Sequence, residues 1–165
     1  MVPRLLLADG HADTLYAALK EGRDWTRAAR RGQTDLVRFE QAGIGLQGLA
    51  LFSDPAHGRW GFTAKALEMA AAFFRGRDEA NTRGHRVGLV LCRDDVARLA
   101  REAETEAGCG FNAVLAIEGC EALSGSLGVL EAFYRLGVRS LGLVWNHRNE
   151  LADGVADGSS GGGLT

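Results

Sequence analysis

The sequence predicts an α/β fold in which parallel strands alternate with helices, as a doubly wound sheet or an incomplete barrel. Five apolar runs are separated by segments that carry apolar residues at helical spacing. The runs lack the strict alternation of a half-exposed sheet, which indicates strands buried on both faces and hence a parallel sheet. Five units in 165 residues average about 33 residues each, the usual size of a βα repeat.

Each predicted strand is an apolar run bounded by glycine, proline or polar residues. In chain order the runs cover residues 4–9, 44–52, 87–91, 111–117 and 138–145. All five are short and continuous, as expected of strands that helices cover. The predicted sheet therefore has five parallel strands.

The predicted helices lie between these strands, and their apolar residues recur on one face. In chain order they cover residues 14–21, 34–42, 62–84, 96–100 and 127–136. Thr34 or Asp35 is a candidate cap for the second helix, and Gly43 closes it because glycine tolerates a positive φ. The connections at 22–32, which is rich in arginine, and at 54–61 are predicted to be polar loops.

Composition and charge exclude several classes of protein. The net charge of −2 argues against a nucleic-acid-binding protein that is held by counterion release. No apolar run reaches the roughly 18 residues of a membrane span, and a signal peptide is not expected. Cys92, Cys109 and Cys120 form no Cys-x-x-Cys pair, which indicates a reducing, cytoplasmic location without a disulfide framework.

The segment Asp9-Gly10-His11-Ala12-Asp13 directly follows the first apolar run. Alternate residues of an extended chain point the same way, so the imidazole of His11 and the carboxylate of Asp13 converge at the carboxyl end of the strand. A neutral imidazole beside a carboxylate suits Zn²⁺ and similar metals. The alternative interpretation is that Asp9 and Asp13 only cap the next helix.

Glu118 directly follows the apolar run at 114–117. A carboxylate at the end of a buried strand is costly unless it is paired or bound to a metal. Together with His11 and Asp13 it favours a barrel, because barrel enzymes gather their sites at the carboxyl ends of parallel strands. The alternative is a solvated loop residue, or a partner for the cap of the following helix.

The end of the sequence, over residues 153–165, is rich in glycine and has no apolar periodicity. A compact domain rarely finishes on an uncovered strand and a loop. We therefore expect residues 1–165 to be the amino-terminal portion of one barrel domain, with 154–165 as a glycine-rich loop at the truncation.

These motifs together resemble the membrane dipeptidase (renal dipeptidase-like) family of zinc metallopeptidases, among the amidohydrolase-like barrels. The motifs that carry the resemblance are Asp-Gly-His-Ala-Asp-Thr-Leu at 9–15, Gly-Ile-Gly-Leu-Gln at 43–47 with Phe-Ser at 52–53, Ala-Ile-Glu-Gly at 116–119, Tyr-Arg-Leu-Gly-Val-Arg at 134–139, the segment at 143–154 and Gly-Leu-Thr at 163–165. They occur in family order across the whole chain. The resemblance implies a (β/α)8 TIM barrel of the metal-dependent hydrolase type, of which the chain covers about the first five βα units.

The resemblance implies specific roles for several residues. His11 and Asp13 would bind one Zn²⁺, and Glu118 would bridge it to a second, with the remaining ligands on later strands. The implied activity is hydrolysis of dipeptides, tolerating a D-residue at the carboxyl end, by a hydroxide shared between the two metals. His147 is a candidate substrate contact. His57 and His85 stand outside the family contexts for metal ligands and are predicted to be surface residues.

The 165 residues alone are expected to be inactive, because they hold only three of the expected ligands and would expose two sheet edges. A fragment, a truncated gene and one of two polypeptides all remain open as the origin of the chain. The expected partners are a small dipeptide substrate and either a second copy or a complementing carboxyl-terminal half, with no nucleic acid or membrane. Two other functions remain open: another metal-dependent amidohydrolase, and a catalytically dead binding or assembly module derived from a dipeptidase.

Overall fold

A computed structural model describes residues 6–52, 54, 58–157 and 162–164. Across these residues the strands are β1 (Leu7–Ala12), β2 (Ile44–Phe52), β3 (Val87–Leu89), β4 (Phe111–Glu118) and β5 (Val138–Gly142). The helices are α1 (Thr14–Glu21), α2 (Leu36–Gln41), α3 (Gly58–Thr82), α4 (Arg93–Ala103) and α5 (Leu127–Arg135). Short 3₁₀ turns cover Cys120–Leu123 and Val155–Asp157. Among the helices of the described part, none has the length and apolar character that crossing a membrane requires.

The strands form one parallel sheet, which confirms the predicted α/β fold. β2 lies between β1 and β4, and its pairing with β4 runs from Leu46–Asn112 to Phe52–Glu118. β3 pairs with the start of β4, and β5 pairs with its second half from Leu115 onward. Because β2 occupies one edge of β4, both β3 and β5 lie along the other edge.

The helices cover one face of this sheet. The side chains that point from β2 and β4 into the core are fully buried: Leu49, Leu51, Leu115 and Ile117. Residues of α1, α2 and α3 pack against them in one continuous cluster. Since buried apolar area stabilises a fold by about 25 cal/mol per Å², this layer fixes β4 and thereby the position of Glu118 at its end.

The loop predicted to be polar over residues 22–32 contains a buried aromatic residue, Trp25. Its ring lies 5.8 Å from that of Phe73, measured between centroids. The indole Nε1 donates a hydrogen bond to the carbonyl oxygen of Ala72 at 3.1 Å. Gly76 of α3 makes room, because a Cβ there would collide with the indole. The connection between α1 and α2 is therefore anchored to α3 through Trp25. The sequence did not predict this contact, because the residues around Trp25 include several arginines.

Burial on both faces, predicted for all five strands, holds only for the central pair. β1 is exposed from Leu7 through His11, and β5 is exposed from Ser140 through Gly142. Each pairs with a single neighbour among the described strands. Both outer edges therefore offer backbone groups to which a further strand can pair.

Several element boundaries differ from the prediction, including α4, which runs from Arg93 to Ala103, and β3, which ends at Leu89. β1 continues to Ala12, since β2 approaches closely at Gly48, where a Cβ would collide with the carbonyl oxygen of Gly10. α3 begins at Gly58 rather than at residue 62. The helix therefore includes Gly61, and a long helix tolerates the cost of about 1 kcal/mol for such an internal glycine. β5 ends at Gly142, where its pairing with β4 stops. Residues 55–57 of the predicted loop, including His57, lie outside the described residues.

The boundaries of α2 follow the predicted caps. The side chain of Asp35 accepts a hydrogen bond from the backbone N–H of Arg38 at 2.9 Å. Gly43 adopts a positive φ of 73° directly after the helix, and its N–H donates to the carbonyl oxygen of Glu40 at 3.0 Å. Leu36 and Phe39 are the residues that α2 buries against the sheet. The turn closed by Gly43 leads directly into β2.

Candidate metal centre

His11, Asp13 and Glu118 converge at the carboxyl ends of β1 and β4. Nε2 of His11 lies 3.6 Å from Oδ2 of Asp13 and 3.4 Å from Oε2 of Glu118. One ligand atom from each of the three residues lies within 4.8 Å of the other two. The sequence assigned these side chains to two separate strand ends, and the sheet brings them to one point.

His11 and Asp13 are positioned by the end of β1. His11 is the next-to-last residue of the strand, and its N–H donates to Oδ1 of Asp9 at 3.2 Å. Asp13 stands at the cap position of α1, but its side chain makes no capping hydrogen bond. Its carboxylate faces His11 instead, so the contacts do not support the interpretation of Asp13 as a helix cap alone.

Glu118 closes β4 with its Cα opposite Phe52 of β2 and Gly142 of β5. Its Oε2 atom is buried and accepts no hydrogen bond from the described residues. Burial raises the pKa of Glu118 above its usual value, the negative charge of Asp13 raises it further, and His11 opposes both. A bound cation would offset the burial of this oxygen and its repulsion from Asp13.

The donor set fits a divalent metal ion. One imidazole nitrogen and two carboxylates suit Zn²⁺, and also Mn²⁺ or Co²⁺. Ligand atoms on one tetrahedral ion with bond lengths of about 2.1 Å lie about 3.4 Å apart. The separations of 3.4 and 3.6 Å around His11 Nε2 are close to that value. The three side chains therefore need little movement to hold one ion.

Cys120 lies two residues beyond Glu118 but takes no part in this cluster. Its side chain is buried in the core, and Sγ donates to the carbonyl oxygen of Gly142 at 3.4 Å. Burial, with a smaller contribution from Glu121, raises the pKa of the Cys120 thiol to about 11. At neutral pH the sulfur is therefore protonated, and a protonated thiol is a poor metal ligand.

We expect iodoacetamide at pH 8 to modify Cys92 and to leave Cys120 unmodified. The thiolate is the reacting form, the pKa of Cys120 is raised to about 11, and only Cys92 of this pair is exposed. Mass spectrometry of peptides after brief labelling measures both sites. A denatured sample, in which both cysteines react, is the control. Equal labelling of the two in the folded protein would contradict the burial of Cys120.

His85 and His147 lie beside carboxylates elsewhere in the described structure. Nδ1 of His85 lies 2.9 Å from Oε1 of Glu40, close to the amino-terminal ends of the strands. Nδ1 of His147 lies 3.5 Å from Oδ1 of Asp157 in the segment after β5. Neither belongs to the group of converging ligand atoms. The substrate contact suggested for His147 stays a prediction, and His57 lies outside the described residues.

An aromatic cluster that the sequence did not predict includes Phe52, the partner of Glu118 in the β2–β4 pairing. It consists of Tyr16, Phe52 and Trp145, with Phe52 in the middle. Taken singly, each residue resembles an ordinary core aromatic at the edge of an element. One feature of the sequence could have indicated that Phe52 lies near the site: it is the last residue of β2, just as Glu118 is the last residue of β4.

The whole chain, residues 1–165, matches the family model described as membrane dipeptidase, peptidase family M19. None of the curated protein sequences compared with the chain matches it.

Solved structures share the fold. Dipeptidase AC, a metallopeptidase of family M19, has a TM-score of 0.73 and 24% identity over 92% of this chain and 48% of that one. A metallopeptidase from Rhodobacter sphaeroides, liganded with a phosphinate mimic of the dipeptide L-Ala-D-Ala, has a TM-score of 0.74 and 23% identity over 92% and 49%. The probable dipeptidase PvdM from Pseudomonas aeruginosa has a TM-score of 0.66 and 23% identity over 91% and 37%. The chain thus spans half or less of the length of these structures.

Proposed function

The chain belongs to the membrane dipeptidase family, peptidase family M19, and from this premise we propose that the complete protein is a metal-dependent dipeptidase. The observation that carries the proposal is the convergence of His11, Asp13 and Glu118 within 4.8 Å of one another. The buried Oε2 of Glu118, which lacks a hydrogen-bond donor in the described structure, supports a positive ion at this point.

We propose that the metal is Zn²⁺, with two ions in the complete site. His11 and Asp13 would hold the first ion, and Glu118 would hold both, with further ligands supplied from outside this chain. When bound, the ions supply Lewis acidity that polarises the scissile carbonyl group and lowers the pKa of water. Glu118 has a rigid base for this role, because β4 is paired along both edges at its carboxyl end.

The proposed substrate is a dipeptide, including dipeptides with a D-residue at the carboxyl end. The similar metallopeptidase from Rhodobacter sphaeroides, bound to a mimic of L-Ala-D-Ala, supports that substrate class. We propose further that residues 1–165 alone are inactive, since they bring together only three ligand atoms in the described structure. The exposed outer edges of β1 and β5 support the need for further strands.

Removal and return of the metal tests this proposal on the complete protein. We expect protein stripped by a chelator to lose hydrolysis of L-Ala-L-Ala and L-Ala-D-Ala, and Zn²⁺ to restore it. A panel that adds an N-acetylated amino-acid amide and an ester separates a dipeptidase from other amidohydrolases. Hydrolysis that persists without metal, or metal-loaded protein that cleaves no dipeptide, would refute the proposal. The same assay on residues 1–165 alone should show no hydrolysis.

A further inference from the structure

Phe52 lies on the same face of the sheet as Glu118. The two residues are direct partners in the β2–β4 pairing, and paired residues on neighbouring parallel strands stand about 4.8 Å apart and point to the same side. The preceding pair, Leu51 and Ile117, points the other way and is fully buried beneath the helices. The ring of Phe52 therefore projects beside the metal centre and not into the core.

The rings of Trp145 and Tyr16 pack against Phe52 from two other elements. The centroid of Phe52 lies 4.9 Å from that of Trp145 at an interplanar angle of 71°, and 5.3 Å from that of Tyr16 at 90°. Both geometries are favourable edge-to-face contacts. The chain leading to Trp145 runs beside the metal ligand, since the N–H groups of Gly119 and Cys120 donate to the carbonyl oxygens of residues 142 and 143, each at 3.2 Å.

Polar contacts hold the outer end of this aromatic cluster in place. The hydroxyl of Tyr16 donates a hydrogen bond to Oδ2 of Asp54, and Nζ of Lys20 donates to the same hydroxyl at 3.4 Å. The bond to Asp54 raises the pKa of Tyr16, so its hydroxyl stays protonated as a donor. Phe52 is thus held between two rings, one of which is fixed at its polar end.

Trp145 presents an apolar surface beside a polar centre. Its side chain remains 40% exposed although it packs on Phe52, and neither ring is part of the buried core. A dipeptide whose peptide bond lies at the metal centre carries its side chains within a few ångströms of that bond. Trp145 packs on Phe52, which is the neighbour of Glu118 in the sheet, and an aromatic face in this place can bury an apolar side chain and gain dispersion contacts with it.

We propose that Trp145, backed by Phe52 and Tyr16, forms the wall of a subsite that receives an apolar side chain of the dipeptide. This inference rests on the proposed dipeptidase function and adds a selectivity for large aliphatic over small side chains. The discrimination comes from one hydrophobic contact surface, for which a preference of about 10-fold to 100-fold is typical.

The test compares variants of the complete, metal-loaded protein. L-Leu-D-Ala and L-Ala-D-Leu are each compared with L-Ala-D-Ala. In Trp145→Ala we expect the ratio of kcat/KM for leucine over alanine to fall about tenfold or more at one of the two positions, mainly through KM. Trp145→Phe should restore most of the preference. Tyr134→Ala removes an exposed aromatic on α5 and is the matched control that should leave the ratio unchanged.

Binding provides a second readout that does not depend on turnover. Isothermal titration calorimetry measures the affinity for non-hydrolysable phosphinate mimics of the dipeptides. Trp145→Ala should weaken the binding of the leucine-containing mimic about tenfold or more and change the binding of the alanine mimic little. A folded Trp145→Ala protein that keeps the wild-type preference at both positions would overturn the subsite while leaving the dipeptidase function intact. Wild-type protein that cleaves no dipeptide would overturn both.

Discussion

Replacing Glu118 with glutamine is expected to lower kcat for dipeptide hydrolysis by the complete protein about a thousandfold or more. Glutamine keeps the shape of the side chain but removes the charge that would hold both metal ions. Lewis-acid stabilisation supplies several kcal/mol, and each 1.36 kcal/mol corresponds to about a factor of ten in rate. Glu118 is also the one ligand among the three converging residues that β4 contributes, so the variant leaves the site with His11 and Asp13 from the end of β1.

The measurement is steady-state kinetics with Zn²⁺ in excess, together with the metal content of the purified variant. Glu131→Gln is the matched control, because Glu131 on α5 is exposed and pairs with Arg135 at 2.6 Å. That control should keep wild-type kcat and metal content. A Glu118→Gln protein with native circular dichroism and near-normal kcat would show that Glu118 does not bridge the metals.

The features of this chain that sequence predicted are those encoded over short distances. Glu118 stands out because a carboxylate interrupts an apolar run, and a buried charge needs a compensating partner. His11 and Asp13 stand out because their spacing of two matches the repeat of a strand. These three residues meet when the carboxyl ends of β1 and β4 lie near each other. The parallel pairing of both strands with β2 places the two ends side by side in this way.

The features that sequence missed depend on which elements meet. Nothing in the short run Val87–Leu89 shows that β3 shares an edge of β4 with β5, because strand order is set by packing over long distances. Trp25 lies among arginines, so only its contact with Phe73 reveals it as a core residue. Phe52 and Trp145 are 93 positions apart in the sequence, and their contact follows from where β2 and β5 end.

Replacing His11 with alanine is expected to weaken Zn²⁺ binding by the complete protein at least about 100-fold. Loss of groups that merely orient a metal ligand typically costs 10-fold to 100-fold in affinity, and a direct ligand should cost at least as much. His11 is also the only nitrogen donor among the three converging side chains. Without it, the carboxylates of Asp13 and Glu118 face each other with nothing to oppose the repulsion that raises the pKa of Glu118.

Competition with a chelator of known affinity measures this loss, and His85→Ala is the matched control. His85 undergoes the same chemical change but pairs with Glu40 at 2.9 Å, away from the converging ligands. Because 52% of the His11 side chain is exposed, added imidazole can enter the space that alanine leaves. Imidazole should therefore recover part of the Zn²⁺ affinity in His11→Ala and change nothing in His85→Ala. Equal losses of Zn²⁺ affinity in the two variants would indicate general destabilisation and would contradict a role for His11 in the metal centre. A loss that is confined to His11→Ala and is partly reversed by imidazole would show that the affinity depends on the imidazole nitrogen of His11.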